Sequence, residues 1–385
     1  MSFSHTRAGI YKIQQEGYKT FVPKPLPPNP PLELDNKLLQ LLSKADQVIG
    51  RLDGITEVLP NPDLFVMMYV KKEAVLSSQI EGTQASLIDV LEFEAKALDP
   101  NRPSDVIEVV NFIKAINHGL RQIEKKKDIS ILLIKSIHYQ LLKGSRGGEK
   151  QPGKLRSVQN WIGPPGSNIS GATFIPPNVK DMNKALNDLV KFIKIEHEFP
   201  PLIKAGLVHS QFETIHPFID GNGRIGRLLI TLLLIKNGHL TKPLLYLSYY
   251  FKKNRNEYYD KLQMVRDSGE WELWMNFFLN GIYQVSSEAI QTSLRIIEIR
   301  KKYQQSINEE FGNKSGLALK LLDGLFNKPV ITINSIKDIT NLSFPNANRL
   351  ASEFEKMGIL EEITGQKRNR IYEFVKYMDI LNEGI

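Results

Sequence analysis

From Ile225 to Ile235 the chain is apolar on almost every side, interrupted only by Gly226, Arg227 and Thr231. A helix with no polar face must be enclosed, because one exposed side would leave leucines in water. The longest apolar run, Leu228 to Ile235 with Thr231 inside it, is far too short to span a bilayer. Protein must therefore surround this helix, and the flanking patterns say that most of that protein is helical. Leu38, Leu41, Leu42, Ala45 and Val48 recur at steps of three and four. Further helices are expected over Asp63 to Glu81, Leu87 to Ala97, Ser104 to Lys125 and Ser130 to Leu142. Nearly all of Met182 to Ile299 should be helical too, with turns near His216 and Pro243. The expected fold class is mainly α.

Three stretches depart from that texture. Phe21 to Leu34 is too rich in proline to be helical and reads as an extended strap. Gly144 to Lys154 is glycine-rich and basic. After it, Ser157 to Ile162 and Ala172 to Ile175 flank a Gly-Pro-Pro-Gly-Ser-Asn turn region, which predicts a hairpin. Toward the C-terminus, Leu317 to Phe326 reads as a helix. Ser335 to Thr340 and Pro345 to Met357 form a helix-turn-helix pattern, and Ile359 to Ile363 with Arg370 to Phe374 suggest a β-wing.

Composition removes several function classes. There are no cysteines, so disulfides, thiolate nucleophiles and cysteine-ligated zinc are excluded. The N-terminal residues Met1 to Lys19 carry no apolar core of signal-peptide length, and the expectation is a cytoplasmic protein with no membrane role. The net charge of +8 suits polyanionic partners without distinguishing among them.

The chemistry concentrates in His216-Pro-Phe-Ile-Asp-Gly-Asn-Gly-Arg-Ile-Gly-Arg227. An amphipathic stretch with Leu202, Ala205, Val208, Phe212 and Ile215 precedes it, and the buried helix follows. Gly221, Asn222 and Gly223 thus sit where a tight turn opens onto a helix. Successive amides can converge there on a phosphate. Arg224 and Arg227 occupy the first turn, where cations oppose the macrodipole by roughly 0.3–1 kcal/mol each. An anion placed between them would account for that. Asp220 is a hard oxygen ligand suited to Mg²⁺ shared with a polyphosphate, and His216 can accept a hydroxyl proton.

Each feature alone has a commonplace reading as a packed histidine, a simple turn or a helix cap. Their convergence within one short segment favours a site. Gly221, Gly223 and Gly226 also spell G-x-G-x-x-G, but no strand precedes them and no acid follows at the spacing a dinucleotide fold requires. The remaining histidines, His5, His118, His138, His197, His209 and His239, read as structural. His209 and His216 lie seven apart without a third metal ligand.

A second anomaly lies upstream in Ser77-Ser-Gln-Ile-Glu81-Gly82. Glu73, Ser77 and Glu81 share a helical face, and Gly82 looks like the C-terminal stop. Glu81 then falls in the last turn, where negative charge is disfavoured. Pairing Glu81 with Arg227 would relieve both misplaced charges; a solvated glutamate near a cap is the plainer alternative.

His216 to Arg227 matches in full the Fic-family signature His-x-Phe-x-(Asp/Glu)-Gly-Asn-Gly-Arg-x-x-Arg. The chain also resembles that family in the hairpin near Ser157 to Pro176, in Asn254 to Tyr259, in the strap and in the C-terminal pattern. The resemblance implies a Fic-type helical core with a β-hairpin flap and a small C-terminal winged-helix domain. It implies an N-terminal helical region with an inhibitory helix over 1–110, a catalytic domain over 111–290, and a linker helix with the winged helix over 291–385.

By the same resemblance, the chain would transfer AMP from ATP to a Tyr, Thr or Ser hydroxyl of a protein. His216 would be the general base and Asp220 the Mg²⁺ ligand. Gly221, Asn222, Gly223, Arg224 and Arg227 would bind the triphosphate, and Tyr258 and Tyr259 the adenosine side. The flap near 157–176 would hold the target by strand addition. Ser77-x-x-x-Glu81-Gly82 is similar to the family's inhibitory helix, which implies that Glu81 takes the γ-phosphate's place. Other readings are a nucleotide-sensing transcriptional regulator, transfer of another phosphate-linked group, or removal of AMP. A homodimer is compatible with the sequence. DNA binding by the tail is not favoured: Lys367, Arg368 and Arg370 would suit phosphates, but Glu353 and Glu355 share the would-be recognition helix with Asn346, Asn348, Arg349 and Lys356.

Overall fold

The computed structural model describes residues 6–383 apart from 59–61, 97–103, 145–149, 165, 196–197 and 367. His5, His197, Lys367 and part of the basic stretch from Gly144 to Lys154 lie outside the described residues.

The chain opens with an antiparallel hairpin, β1 (Gly9–Ile13) and β2 (Lys19–Pro23), turning at Gly17, whose φ is 87°. This hairpin was not expected, because its ten strand residues mix charge with short apolar pieces and show no clean alternation. Helices follow: α1 (Asn36–Val58), α2 (Pro62–Ile80), α3 (Leu87–Lys96), α4 (Ser104–Glu124) and α5 (Ile131–Leu142). Ser130 caps α5 by accepting the Leu133 amide.

The expected flap hairpin narrows to a single bridge, Ile162 with Phe174, around a short helical turn at Ile169–Gly171. Beyond it come α6 (Val179–Lys194), α7 (Pro201–Ile215), α8 (Asn222–Lys236), α9 (Ser248–Lys253), α10 (Arg255–Ser268) and α11 (Trp271–Phe311).

The apolar run does what its composition demands. In α8 the side chains of Leu228, Leu229, Ile230, Leu232, Leu233 and Leu234 are all buried, each worth about 1.5–3 kcal/mol on removal from water. They pack among α7, α4, α2 and α5. Helix α7 is buried from Leu202 to Ile215. Helix α11 approaches it closely at Gly206, where an added Cβ would stand 2.6 Å from Met275 Cε, and the Trp274 indole donates to the Gly206 carbonyl at 2.9 Å. α7 and α8 therefore form a rigid spine, and the turn joining them, residues 216–221, inherits that rigidity.

The C-terminal part runs α12 (Ser315–Asn327), β3 (Val330–Thr332), α13 (Ile333–Thr340), α14 (Phe344–Lys356), β4 (Leu360–Glu362), β5 (Ile371–Phe374) and α15 (Val375–Asn382). The strands form an antiparallel sheet in the order β3-β5-β4. β3 escaped sequence analysis because three residues show no periodicity. Thr332 ends it and caps α13 by accepting the Ser335 amide. The unit rests on α2 and α3 through α12 and β3, and on α11 through α12 and α15. α11 passes residue 290 as one continuous helix. Among the described residues no helix is long and apolar enough to cross a membrane.

Candidate active site

The α7–α8 turn begins at His216, whose amide still bonds to the Phe212 carbonyl but whose own backbone is left-handed, φ 48° and ψ 61°. A left-handed helix end is ordinarily glycine's place, and a side chain there costs about 1–2 kcal/mol. The His216 Nδ1 faces the Glu213 carbonyl at 3.3 Å. A carbonyl only accepts, so Nδ1 carries the proton and Nε2 keeps its lone pair. Burial pushes the imidazole down to about 4; the bond to Glu213 works the other way, and the Arg266 and Arg156 cations add to the depression. At neutral pH the ring is an uncharged base.

The turn is held from inside. The Asn222 side chain accepts from the Phe218 amide and donates to the Phe218 carbonyl, both at 2.9 Å. Its amide oxygen and one of its two amide hydrogens are thereby engaged with the turn itself. His138 of α5 stacks on Phe218 with ring centroids 3.7 Å apart, bonds through Nε2 to the Asp220 carbonyl and accepts the Gly153 amide at Nδ1. Gly221, at φ 80°, ends the turn, and α8 starts with no side-chain cap on its first amides.

Where a cap would be, a carboxylate from α2's end intervenes. Arg227 is buried; its Nε donates to Ser77 Oγ at 2.8 Å, and its Nη2 to the Ser77 carbonyl at 2.9 Å and to Glu81 Oε1 at 2.6 Å. Burial works to lower the Arg227 pKa, but Glu81 and Glu213 override it and the net shift is upward. A Cβ on Gly223 would stand 2.2 Å from Glu81 Oε1, so the carboxylate lies directly on the first turn of α8. Helix α2 ends at Ile80, and Glu81 occupies the turn just past it, before Gly82 at φ 102°. Glu81 is about a third exposed, whereas Arg227 is almost wholly buried.

The two arginines do not flank one anion, as their spacing suggested. Arg224 turns to α4, with Nη1 2.8 Å from Glu108 and Nη2 3.5 Å from Asp220. Asp220 also meets the Lys150 ammonium at 2.6 Å. Burial works to raise its carboxyl, but Arg224 and Lys150 hold it below the usual range. No group of three His, Asp or Glu side chains suited to a metal occurs among the described residues. One accessible carboxylate fits Mg²⁺ that takes its other oxygens from phosphate and water.

The tyrosines part company. Tyr258 is buried, its hydroxyl 2.8 Å from His209 Nε2, and burial raises it well above the ordinary tyrosine value. It belongs to the aromatic core with Phe251 and Trp274. Tyr259 is 40% exposed and packs with Arg255 over its ring. Only Tyr259 is open to a ligand.

Sequence reasoning missed Arg156, Glu108, Lys150 and Asn160, and it read His138 only as a packed residue. Their roles depend on contacts between elements distant in the chain, which leave no local spacing to detect. Arg156 alone had a hint: a basic residue at the flap's entry, next to the first β-like run.

Residues 39–121 match the Fic/DOC family N-terminal domain, and residues 128–234 match the Fic/DOC family domain. The chain belongs to the Fic/DOC family. It is 29% identical over 205 residues to a "Probable protein adenylyltransferase" of Aquifex aeolicus, covering 53% of this chain and 57% of that one. It is 30% identical over 214 residues to a "Protein adenylyltransferase Fic" of Drosophila yakuba, covering 51% and 38%. The chain thus spans about half or less of the length of these curated relatives. In fold it is similar to a Fic family protein from Desulfovibrio desulfuricans, with a TM-score of 0.59 at 19% identity over 90% of this chain and 98% of that one. A Fic domain containing signaling protein from Bacteroides thetaiotaomicron aligns with a TM-score of 0.51 at 18% identity, covering 67% and 97%.

Proposed function

We propose that this protein transfers AMP from ATP to a hydroxyl group of a polypeptide, and that Glu81 restrains it. The observation that carries this reading is the Glu81 carboxylate lying on Gly223 and paired with Arg227, at an uncapped helix N-terminus beside a neutral imidazole. A carboxylate in that position stands in for a phosphate oxygen of the nucleotide.

With Glu81 withdrawn, the first amides of α8 and the Arg227 guanidinium are free to receive the triphosphate. His216 Nε2 takes the proton from the target hydroxyl. The oxygen then bonds to the α-phosphorus as the bond to the β-phosphate oxygen breaks, and pyrophosphate departs with its charge met by Arg227 and the amides; Arg224 would join them only by leaving Glu108. Mg²⁺ held through Asp220 would neutralise phosphate charge. Lys150 would have to yield that carboxylate, or share it. Asn222 contributes by shaping the turn, Tyr259 is the candidate on the nucleoside side, and Tyr258 supports it from the core.

The target would lie along the flap. The bridge between Ile162 and Phe174 leaves most of that segment's backbone unpaired by strand, with Val158 and Trp161 exposed. A main-chain docking mode follows from that geometry. The C-terminal unit has the element order of a winged helix. Arg370 is engaged with Asn348 and packs on Tyr372, so two residues of the would-be DNA surface are turned on each other. A protein-docking role suits it better.

Incubation with labelled ATP and a cell lysate tests the reading. Replacing Glu81 by Gly should raise AMP incorporation by about 10- to 100-fold, the worth of one charge-assisted hydrogen bond to a buried arginine. His216→Ala in the same background should remove it. Equal labelling by the wild-type and Glu81→Gly proteins would discard the restraint, and labelling that survives His216→Ala would discard the mechanism.

A further inference from the structure

Arg156 is one of the largest fully buried side chains in the molecule, 2% exposed. It stands at the entry of the flap, and among the described residues every hydrogen bond its guanidinium makes goes to a main-chain carbonyl. Nε donates to His216 at 3.0 Å, Nη1 donates to Val158 at 3.1 Å, and Nη2 donates to Pro177. Its own amide donates to the Pro217 carbonyl at 3.0 Å. Among the described residues no carboxylate neutralises it. Burial lowers its pKa to about 10, so it remains charged at neutral pH.

A buried guanidinium without a counter-ion is costly, and three carbonyl dipoles are the means by which it is tolerated. Those carbonyls are not equivalent. Val158 lies where the flap leaves the body, Pro177 where it returns, and His216 is the left-handed residue that carries the proposed base. Asn160 strengthens the same junction by donating to the Phe218 carbonyl at 2.9 Å, and Gln159 donates to the Pro176 carbonyl at 3.0 Å. One planar cation therefore ties both ends of the flap to the backbone of His216.

We propose that Arg156 is a positioning residue: it fixes His216 in its left-handed conformation relative to the two roots of the flap, so that a hydroxyl held on the flap meets the imidazole in register. This rests on the proposed transfer reaction and extends it. Lysine cannot replace the fork, because an ammonium is a point donor and does not reach three carbonyls held at fixed angles in one plane.

The test uses the full chain carrying Glu81→Gly, with Arg156→Met, Arg156→Lys or no further change. The expected result is a fall of about 100-fold in the rate of AMP incorporation for Arg156→Met, of the size a 1 Å misplacement produces. Direct binding of ATP should stay within about twofold of the parent, since Arg156 touches no part of the phosphate cradle. Arg156→Lys should restore only a fraction of the rate.

A second readout does not depend on transfer. The charged groups facing His216 are Arg156, Arg266 of α10 and Glu81, and Glu213 of α7 meets the ring through its main-chain carbonyl. Removing the Arg156 cation should shift the NMR titration of the His216 ring upward in Arg156→Met and leave it near the parent in Arg156→Lys. Three results would overturn the proposal: an unchanged rate in either variant, ATP binding that falls in step with the rate, or a His216 titration that ignores the charge. If Arg156→Met does not fold, Arg156→Lys decides by its rate and ATP binding. If the parent shows no transfer at all, the reaction class is wrong, and an unchanged environment of His216 in both variants still tells against Arg156 as its positioner.

Discussion

The segment from His216 to Arg227 is held from two sides by opposite kinds of contact. On the α2 side, Glu81 and Ser77 grip Arg227 through an ion pair whose carboxylate is about a third exposed. On the flap side, Arg156 grips His216 through neutral carbonyls in a buried setting. An exposed carboxylate can exchange protein for water at modest cost, and in the proposed reading an ATP phosphate takes its place. A buried guanidinium has no such exit. In the proposed reading a releasable restraint and a permanent fixture thus meet on one loop, and solvent access separates them.

That contrast can be pressed experimentally. Beyond the Glu81 and Arg156 variants, the largest effect should come from Ser77→Ala. It removes the hydroxyl that accepts Arg227 Nε while leaving the Ser77 carbonyl and Glu81 in place. Basal AMP incorporation should rise about tenfold, less than for Glu81→Gly, as one hydrogen bond to a charged group implies. An activity no higher than wild type would mean that Glu81 alone sets the restraint.

Salt should separate the two sides more gently. Raising ionic strength from about 0.1 to 0.5 M weakens a partly exposed ion pair. The ratio of Glu81→Gly activity to wild-type activity should therefore shrink a few-fold, while the ratio of Arg156→Lys to its parent stays flat. A salt-independent first ratio would contradict the view of Glu81 as the releasable element.

The smallest effect concerns His138, the strut behind the loop. Burial pushes its imidazole down to about 4 from the ordinary 6.5. The folded protein keeps it neutral while the unfolded chain takes a proton below 6.5. Its contribution to stability is complete above 6.5 and is lost as pH falls toward 4, at up to about 1.4 kcal/mol per pH unit. His138→Gln should lower Tm at pH 8 and flatten its dependence on pH between 6.5 and 4. An unaltered slope would show that other groups dominate acid unfolding.

The legible parts of the molecule are those written locally. The apolar run announced α8, the glycine-flanked turn announced its start, and the helix-turn-helix spacing located α13 and α14 within a residue or two. The misplaced charges of Arg227 and Glu81 foretold their own contact, since two unfavourable helix-end positions pointed to one pair. The same reasoning did not foresee the partner of Arg224. It has a partner outside the motif, Glu108 on α4, and no sequence rule links positions 116 residues apart. Tyr258 and Tyr259 are adjacent in sequence yet point to core and surface, a separation that only packing decides. The β1–β2 hairpin and the Arg156 junction were invisible for a similar reason: their hydrogen bonds join main-chain atoms, which every sequence possesses equally.

Helix α2 carries three consecutive buried ionisable side chains, and each is anchored in a different direction. Lys71 meets Glu94 at 2.6 Å, Lys72 donates to the Glu383 carbonyl at 3.2 Å, and Glu73 accepts from the Ser248 amide at 3.1 Å. Sliding or rotating this rod would strip all three at once, each loss leaving a polar group stranded in a dry interior. The helix is thus moored along its middle, and Glu81 sits on the turn just beyond its last residue, Ile80. Under the proposed restraint, moving Glu81 off Gly223 asks only the turn after Ile80 to shift, so the latch can open while the door frame stays still.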